Sequence, residues 1–196
     1  MKFLTKERIF TLSMLSGAAL AVIIGSFSAF AAQCDELPEK LFRMHILANS
    51  DSSEDQELKY ALRDFLSDDM QYIFEGCSSA EEAKNAAKAN LKDITLKAQE
   101  FVYSKGFDYK ITASVEKIYF TTRQYGSVTV PAGEYDALRV LIGEGEGKNW
   151  WCVMFPPLCL GTVEEFVYNE ADTIDPNRPP QVKFAVYEWL KSLFKF

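Results

Sequence analysis

The spacing of apolar residues changes several times along this chain. Lys2, Lys6 and Arg8 precede a run without charge from Ile9 to Cys34, densest in Leu, Ala, Val and Ile over residues 12–24. Residues 41–48 alternate loosely, as a strand does, and the turn formers Asn49-Ser-Asp-Ser-Ser53 end that pattern. The spacing then becomes 3 and 4. Leu58, Ala61, Leu62, Phe65, Leu66, Met70 and Ile73 form one helical stripe. Ser53 and Gln56 stand in capping-box spacing at its start, Glu54 and Asp55 put negative charge at the positive helix end, and Gly76 suits its stop. Ala83, Ala86, Ala87, Leu91, Ile94, Ala98, Phe101 and Val102 make a second stripe between the capping box of Ser79 and Glu82 and a stop at Gly106. The short link between the stripes predicts an antiparallel helix pair.

From Phe107 the period falls to 2. Tyr109, Ile111, Ala113, Val115 and Ile118 predict a long strand, Tyr125-Gly126 a turn, residues 127–130 a short strand and Pro131-Ala-Gly133 another turn. Residues 135–142 and 150–155 read as two further strands separated by the loop Gly143-Glu-Gly-Glu-Gly-Lys-Asn149. Strands with short connections following a helix pair predict an α+β fold: the pair packed on a mostly antiparallel sheet. Beyond Gly161 the pattern breaks. Glu164, Glu165, Glu170, Asp172 and Asp175, with Pro176, Pro179 and Pro180, predict an acidic surface excursion. After it, Val182, Phe184 and Val186 alternate as a last strand, and Trp189, Leu190, Leu193 and Phe194 suit a short amphipathic helix.

The N-terminal pattern is that of a secretory signal peptide: a basic region, an apolar region, and Ala29 and Ala31 as an A-x-A cleavage site that leaves Ala32 as the new N-terminus. The alternative is a signal anchor. The uncharged run reaches the roughly 20 residues of a spanning helix, although Thr11, Ser13, Ser16, Gly17, Ser26 and Ser28 dilute it. A lipoprotein signal does not fit, because Gln33 rather than a small residue precedes Cys34. Both readings place the remaining chain outside the cytoplasm. The expected organisation is a signal segment over residues 1–31, one domain over 32–160 and a tail over 161–196.

Charge narrows the partners. The chain carries −7, and residues 1–31 contribute +2 from Lys2, Lys6 and Arg8 against Glu7, so the exported part carries −9. Such a domain, without a basic run, is poorly suited to nucleic acid, which is held by Lys and Arg displacing counterions. It is equally unsuited to anionic headgroups, so the membrane is expected to be met only through the signal segment. Export permits disulfides among Cys34, Cys77, Cys152 and Cys159. Cys152 and Cys159 are the expected pair. On one strand they would stand roughly 23 Å apart, so the chain between them must reverse, and Pro156-Pro157 sits where the reversal falls. Two buried free thiols are the alternative.

Candidate catalytic and metal groups have plainer explanations. His45 is the single histidine and lies within a predicted strand, and nothing in its spacing from Cys152 supports a nucleophile–base pair. The cysteines lack paired zinc spacing, and Asn49, Asp51 and Asp55 lack the twelve-residue calcium loop. Glu144 and Glu146 sit on a glycine-rich loop, a poor way to hold two carboxyls at the fixed separation glycoside hydrolysis needs. No catalytic, metal or cofactor residues are therefore expected. Trp150 and Trp151, adjacent on a strand, point to opposite faces. The outward one either anchors a partner beside the proline turn or lies under a helix.

Ala48-Asn-Ser-Asp-Ser52 followed by Asp55-Gln56, then Tyr125-Gly126, Pro131-Ala-Gly-Glu-Tyr135, Ala137-Leu-Arg139, Gly143-Glu-Gly145, Asn149-Trp-Trp-Cys-Val153 and Phe155-Pro-Pro-Leu-Cys159 form one ordered set. In that set the chain resembles the stage II sporulation protein R family, from about residue 41 to 159. The resemblance implies export across the forespore membrane into the space between the two membranes around it. There such a protein signals to a membrane-embedded aspartic protease of the mother cell, which cleaves the inactive precursor of sigma-E. It implies a ligand rather than an enzyme, whose candidate partner-binding residues are Asn49, Asp51, Trp150, Trp151, Pro156 and Pro157. The competing classes are a secreted cell-wall hydrolase using Glu144, Glu146 or His45, and a structural protein of the intermembrane space.

Overall fold

The structure, a computed structural model, describes residues 6–125, 128–156 and 182–194. Two compact units divide the chain: residues 37–180, and residues 1–36 with 181–196.

In the first unit a four-stranded sheet in the order β2-β5-β1-β6 is built from β1 (Phe42–Leu47), β2 (Ile111–Phe120), β5 (Gly133–Ile142) and β6 (Asn149–Phe155). β2 and β6 pair antiparallel to their neighbours, whereas β1 and β5 run parallel in the register Met44 to Leu138 and Ile46 to Val140. The sheet is thus mostly antiparallel, with one parallel pair at its centre. Between β1 and β2 lie α2 (Ser53–Asp69), α3 (Gln71–Phe74), α4 (Ala80–Ala89) and α5 (Leu91–Ser104). The chain spends these helices on the crossover that a parallel return requires.

One face of the sheet meets the helices. Phe42, Met44 and Ile46 of β1, Leu138, Val140 and Ile142 of β5, and Cys152 and Met154 of β6 pack with Leu58, Leu62 and Leu66 of α2, Ala83 and Ala87 of α4, and Ile94, Ala98 and Val102 of α5. The alanines of α4 let its backbone approach closely. Phe120, Tyr135, Ala137 and Val153 lie on the opposite face, under Leu37 and a hairpin of β3 (Arg123–Tyr125) and β4 (Val128–Val130) that supplies Tyr125, Val128 and Val130.

Several local expectations change. The cap of α2 is Ser52, not Ser53, and its side chain accepts from the Asp55 amide at 3.2 Å. The second predicted helix is broken at Asn90 into α4 and α5, because Asn90 folds back to give its Nδ2 hydrogens to the Ala86 carbonyl at 2.9 Å. Tyr125 closes strand β3 instead of starting a turn, and Gly133 opens β5. Ser79 caps α4 as its spacing predicts, while Glu82 reaches the Ser78 amide at 2.7 Å.

The second unit joins α1 (Lys6–Lys40) to α6 (Val182–Phe194). α1 runs through the A-x-A segment without a break and is long and apolar enough to cross a membrane. The expected strand at Val182, Phe184 and Val186 is the start of α6. Phe184 and Tyr187, three residues apart, bury against Phe30 with ring centroids at 4.9 and 6.4 Å, a helical stripe that period 2 imitates over so short a run. The acidic excursion expected over residues 164–175 lies outside the described residues.

Candidate partner-binding surface

The turn after β1 is locked to the loop before β6. Asp55, buried at the start of α2, accepts from Asn49 Nδ2 at 2.9 Å and Ser50 Oγ at 2.6 Å. Its carboxyl is held below the usual aspartate range: burial pushes upward and is outweighed by the hydrogen bonds from Ser50 and Asn49. Gln56 gives its amide to the Ser50 carbonyl at 2.8 Å. From the other side Asn49 Oδ1 accepts the Glu144 amide at 3.1 Å, and Asp51 Oδ1 accepts the Lys148 amide at 2.7 Å. Backbone bonds from Glu146 to Asn49 and from Gly147 to Ala48 complete the clamp.

Two of the loop's glycines meet the turn directly. Gly143 has φ +58° with Asn49 Oδ1 where a Cβ would stand, and a Cβ on Gly147 would overlap the Ser50 carbonyl. The motif residues Asn49, Ser50, Asp51, Asp55, Gln56, Gly143 and Gly147 therefore share one structural task, which leaves the side chains of Asp51, Glu144, Glu146 and Lys148 on an exposed rim.

Beside the rim, α2 lays three side chains along β6. Arg63 sits over the Trp150 ring at 4.5 Å and Tyr60 meets Trp150 edge-on at 5.4 Å. Lys59 is buried, gives Nζ hydrogens to Gln56 Oε1 at 2.6 Å and the Lys148 carbonyl at 3.0 Å, and has its pKa lowered by that burial. Trp150 is half-buried and its indole nitrogen has no hydrogen-bond partner among the described residues, while Tyr60 is 40% exposed. Of the two outcomes open for this tryptophan, it lies against a helix yet keeps an edge outward.

Trp151 turns to the other face, as strand alternation requires, and stacks on His45 with centroids 3.8 Å apart. His45 Nε2 donates to Asn149 Oδ1 at 2.7 Å, leaving buried Nδ1 without a partner among the described residues. Burial lowers its pKa, against the pull of the Asn149 bond. Next to it Arg43, fully buried, has its guanidinium carbon 3.8 Å from the Phe120 centroid and 4.8 Å from that of Tyr135. Arg43 donates to Tyr125 Oη at 2.6 Å and to the Cys152 carbonyl at 3.4 Å, while Nη1 has no partner among the described residues.

The structure brings Asn49, Asp51 and Trp150 together at one end of β6 and sets Trp151 on the far side of the sheet. Pro156 follows β6 at its opposite end, about 20 Å away for a seven-residue strand. Pro157 and Cys159 lie outside the described residues; Cys152 is fully buried, and Cys34 and Cys77 are free thiols. Sequence reading missed Tyr60, Arg63 and Arg43. Tyr60 and Arg63 fall outside the apolar stripe of α2. Arg43 was detectable: a charge alternating with Phe42 and Met44 on one strand signals a second covered face.

The model of the family described as stage II sporulation protein R matches residues 38–165. A curated relative, stage II sporulation protein R of Bacillus subtilis (strain 168), is 38% identical over 157 residues, 78% of this chain and 68% of the relative. No solved structure matches. The match spans both the clamp and the Arg43 face, and the chain belongs to the stage II sporulation protein R family.

Proposed function

We propose that this sporulation signalling protein acts outside the forespore membrane, in the intermembrane space, as a ligand of a membrane-embedded aspartic protease of the mother cell, which then processes the sigma-E precursor. Family membership is the observation that carries this reading. A folded ligand activates a receptor by binding its active state better than its inactive one.

The surface that fits the task is the end of β6: Trp150 and Tyr60 as aromatic anchors, rimmed by Asp51, Glu144, Glu146 and Lys148 on a loop whose backbone is clamped. Rigid display lowers the ordering cost of binding, and partly buried aromatics beside arginine are the usual energetic centres of interfaces. Asn49 acts there by holding the loop, and Trp151 by supporting the opposite face. A disulfide between Cys152 and Cys159 would staple the exit from the same strand.

Co-expression of the exported chain, the protease and the precursor in a non-sporulating host tests the reading. Cleavage is expected with all three present, and not when the exported chain is omitted. Tyr60→Ala and Trp150→Ala, secreted at normal levels, are expected to lose most of the cleavage. Full cleavage by both would remove this surface, and cleavage without the exported chain would remove the function.

A further inference from the structure

Helix α6 is apolar on two sides. At 100° per residue, Phe184, Tyr187 and Lys191 share the side that packs on α1, while Val186, Trp189 and Leu193 lie roughly opposite. The first side is satisfied: Phe184 and Tyr187 bury against Phe30, and Tyr187 Oη and Lys191 Nζ donate to Asp35 at 2.6 and 2.9 Å. The second is bare, with Val186 37%, Trp189 60% and Leu193 57% exposed.

The position of this bare stripe is set by α1. Its uncharged run begins after Arg8 and ends at Asp35. About 20 residues, at 1.5 Å each, fill the hydrocarbon core, and a carboxylate avoids that core. The boundary of the core therefore falls in the turns just before Asp35, and Phe30 and Asp35 both hold α6. Trp189 lies between Tyr187 and Lys191 along the helix, at that same level. Tryptophan favours the headgroup region. The segment from Val182 onward carries Lys183, Lys191 and Lys195 against Glu188, a local +2 in a chain of −7, and basic residues beside apolar ones characterise helices lying at anionic surfaces.

We propose that α6 is a membrane-interface helix: docked to the neck of an uncleaved α1, it places Val186, Trp189 and Leu193 in the headgroup–acyl boundary of an anionic bilayer. The inference adds α6 to the membrane contact expected of the N-terminal segment, and it stands independently of the protease reading. It also requires retention of α1, because a cut after Ala31 detaches Phe30 from the pair.

The test uses the full chain reconstituted in vesicles of phosphatidylcholine and phosphatidylglycerol whose acyl chains are brominated at a shallow position. The fluorescence lost on Trp189→Phe isolates the Trp189 signal from Trp150 and Trp151. More than half of that signal should be quenched by the brominated lipid. The double variant Val186→Glu, Leu193→Glu, checked for helix content by circular dichroism, should lose the quenching while α1 keeps the chain in the vesicle. A Trp189 signal untouched by lipid overturns the proposal, whether aqueous iodide reaches it (a bare helix) or not (a protein partner or second copy covering the stripe). Mass spectrometry of the protein from membranes should find chains that retain residues before Ala32. A population made entirely of chains starting at Ala32 would also overturn it.

Discussion

On one face of the sheet Met44 and Ile46 meet aliphatic side chains of α2, α4 and α5. One residue along the same strand, Arg43 and His45 meet Phe120, Tyr135 and Trp151. The helix face is cohesive because it removes apolar area from water. The hairpin face buries a cation and a histidine and compensates them with ring faces, Tyr125 Oη and Asn149, leaving one nitrogen of each without a partner among the described residues. The two faces should therefore answer differently to substitution. Loss of volume hurts the first, whereas loss of a polar partner hurts the second.

The largest effect is expected on the helix face. Leu62→Ala should cost about 2–5 kcal/mol, since Leu62 is fully buried and its neighbours collapse only partly into the space. Arg43→Met should cost less than about 1.5 kcal/mol, because exchanging a buried charge for an apolar side chain of similar length removes a desolvation penalty along with the contacts. Urea unfolding of the two variants measures this contrast. Equal losses would mean that the guanidinium contributes as a charge and not as a space-filling plate.

At the clamp, Gly147→Ala should cost about 1–3 kcal/mol, as an added methyl drives the loop off the Ser50 carbonyl. Amide exchange should speed up at Lys148 and Glu144, whose protons the turn accepts, and stay unchanged in α5. Unaltered exchange at Lys148 would show that the loop is held by something other than this turn.

Acid separates the faces further. Burial depresses the His45 pKa below the ordinary histidine value of 6.5, so as pH falls the unfolded chain takes up the proton first. Stability is lost from about 6.5 downward until the folded-state pKa is passed. Asp55 is also depressed, from 3.8, so its contribution persists to lower pH and fails in a second, more acidic step. In His45→Gln the first step should vanish and the second remain, read from thermal midpoints between pH 7 and 3. The smallest effect is local: Ser79→Ala should cost about 1 kcal/mol by removing the cap of α4, with the hairpin face unaffected.

The helix face was readable because period 3.6 and period 2 both report burial on one side. The stripe from Leu58 to Met70 and the alternation from Tyr109 to Val115 each place their residues toward the helix face, whereas Ile118 packs on the hairpin side. The break at Asn90 was hidden, because Leu91 and Ile94 continue the apolar stripe across it. Ser50, Ser52 and Ser53 can each cap a helix, and the choice of Ser52 depends on which hydroxyl the chain brings to the Asp55 amide. The parallel pairing of β1 with β5 depends on a crossover of four helices and three strands, which no local pattern encodes.

For the site, motif spacing drew attention to Asn49 and Asp51 without revealing that they lock a loop. Trp150 and Trp151 were separated correctly by alternation alone. Tyr60 and Arg63 become part of the surface because α2 packs beside β6, a tertiary fact.

The central claim is that this domain works by being recognised. Its most direct test is the protease in vesicles with precursor supplied, to which the purified exported domain is added on the extracytoplasmic side. The account predicts that cleavage starts on addition of the domain, saturates with its concentration, and fails with folded Trp150→Ala. Cleavage at the same rate without the domain, or release of cell-wall fragments by the domain alone, would contradict it.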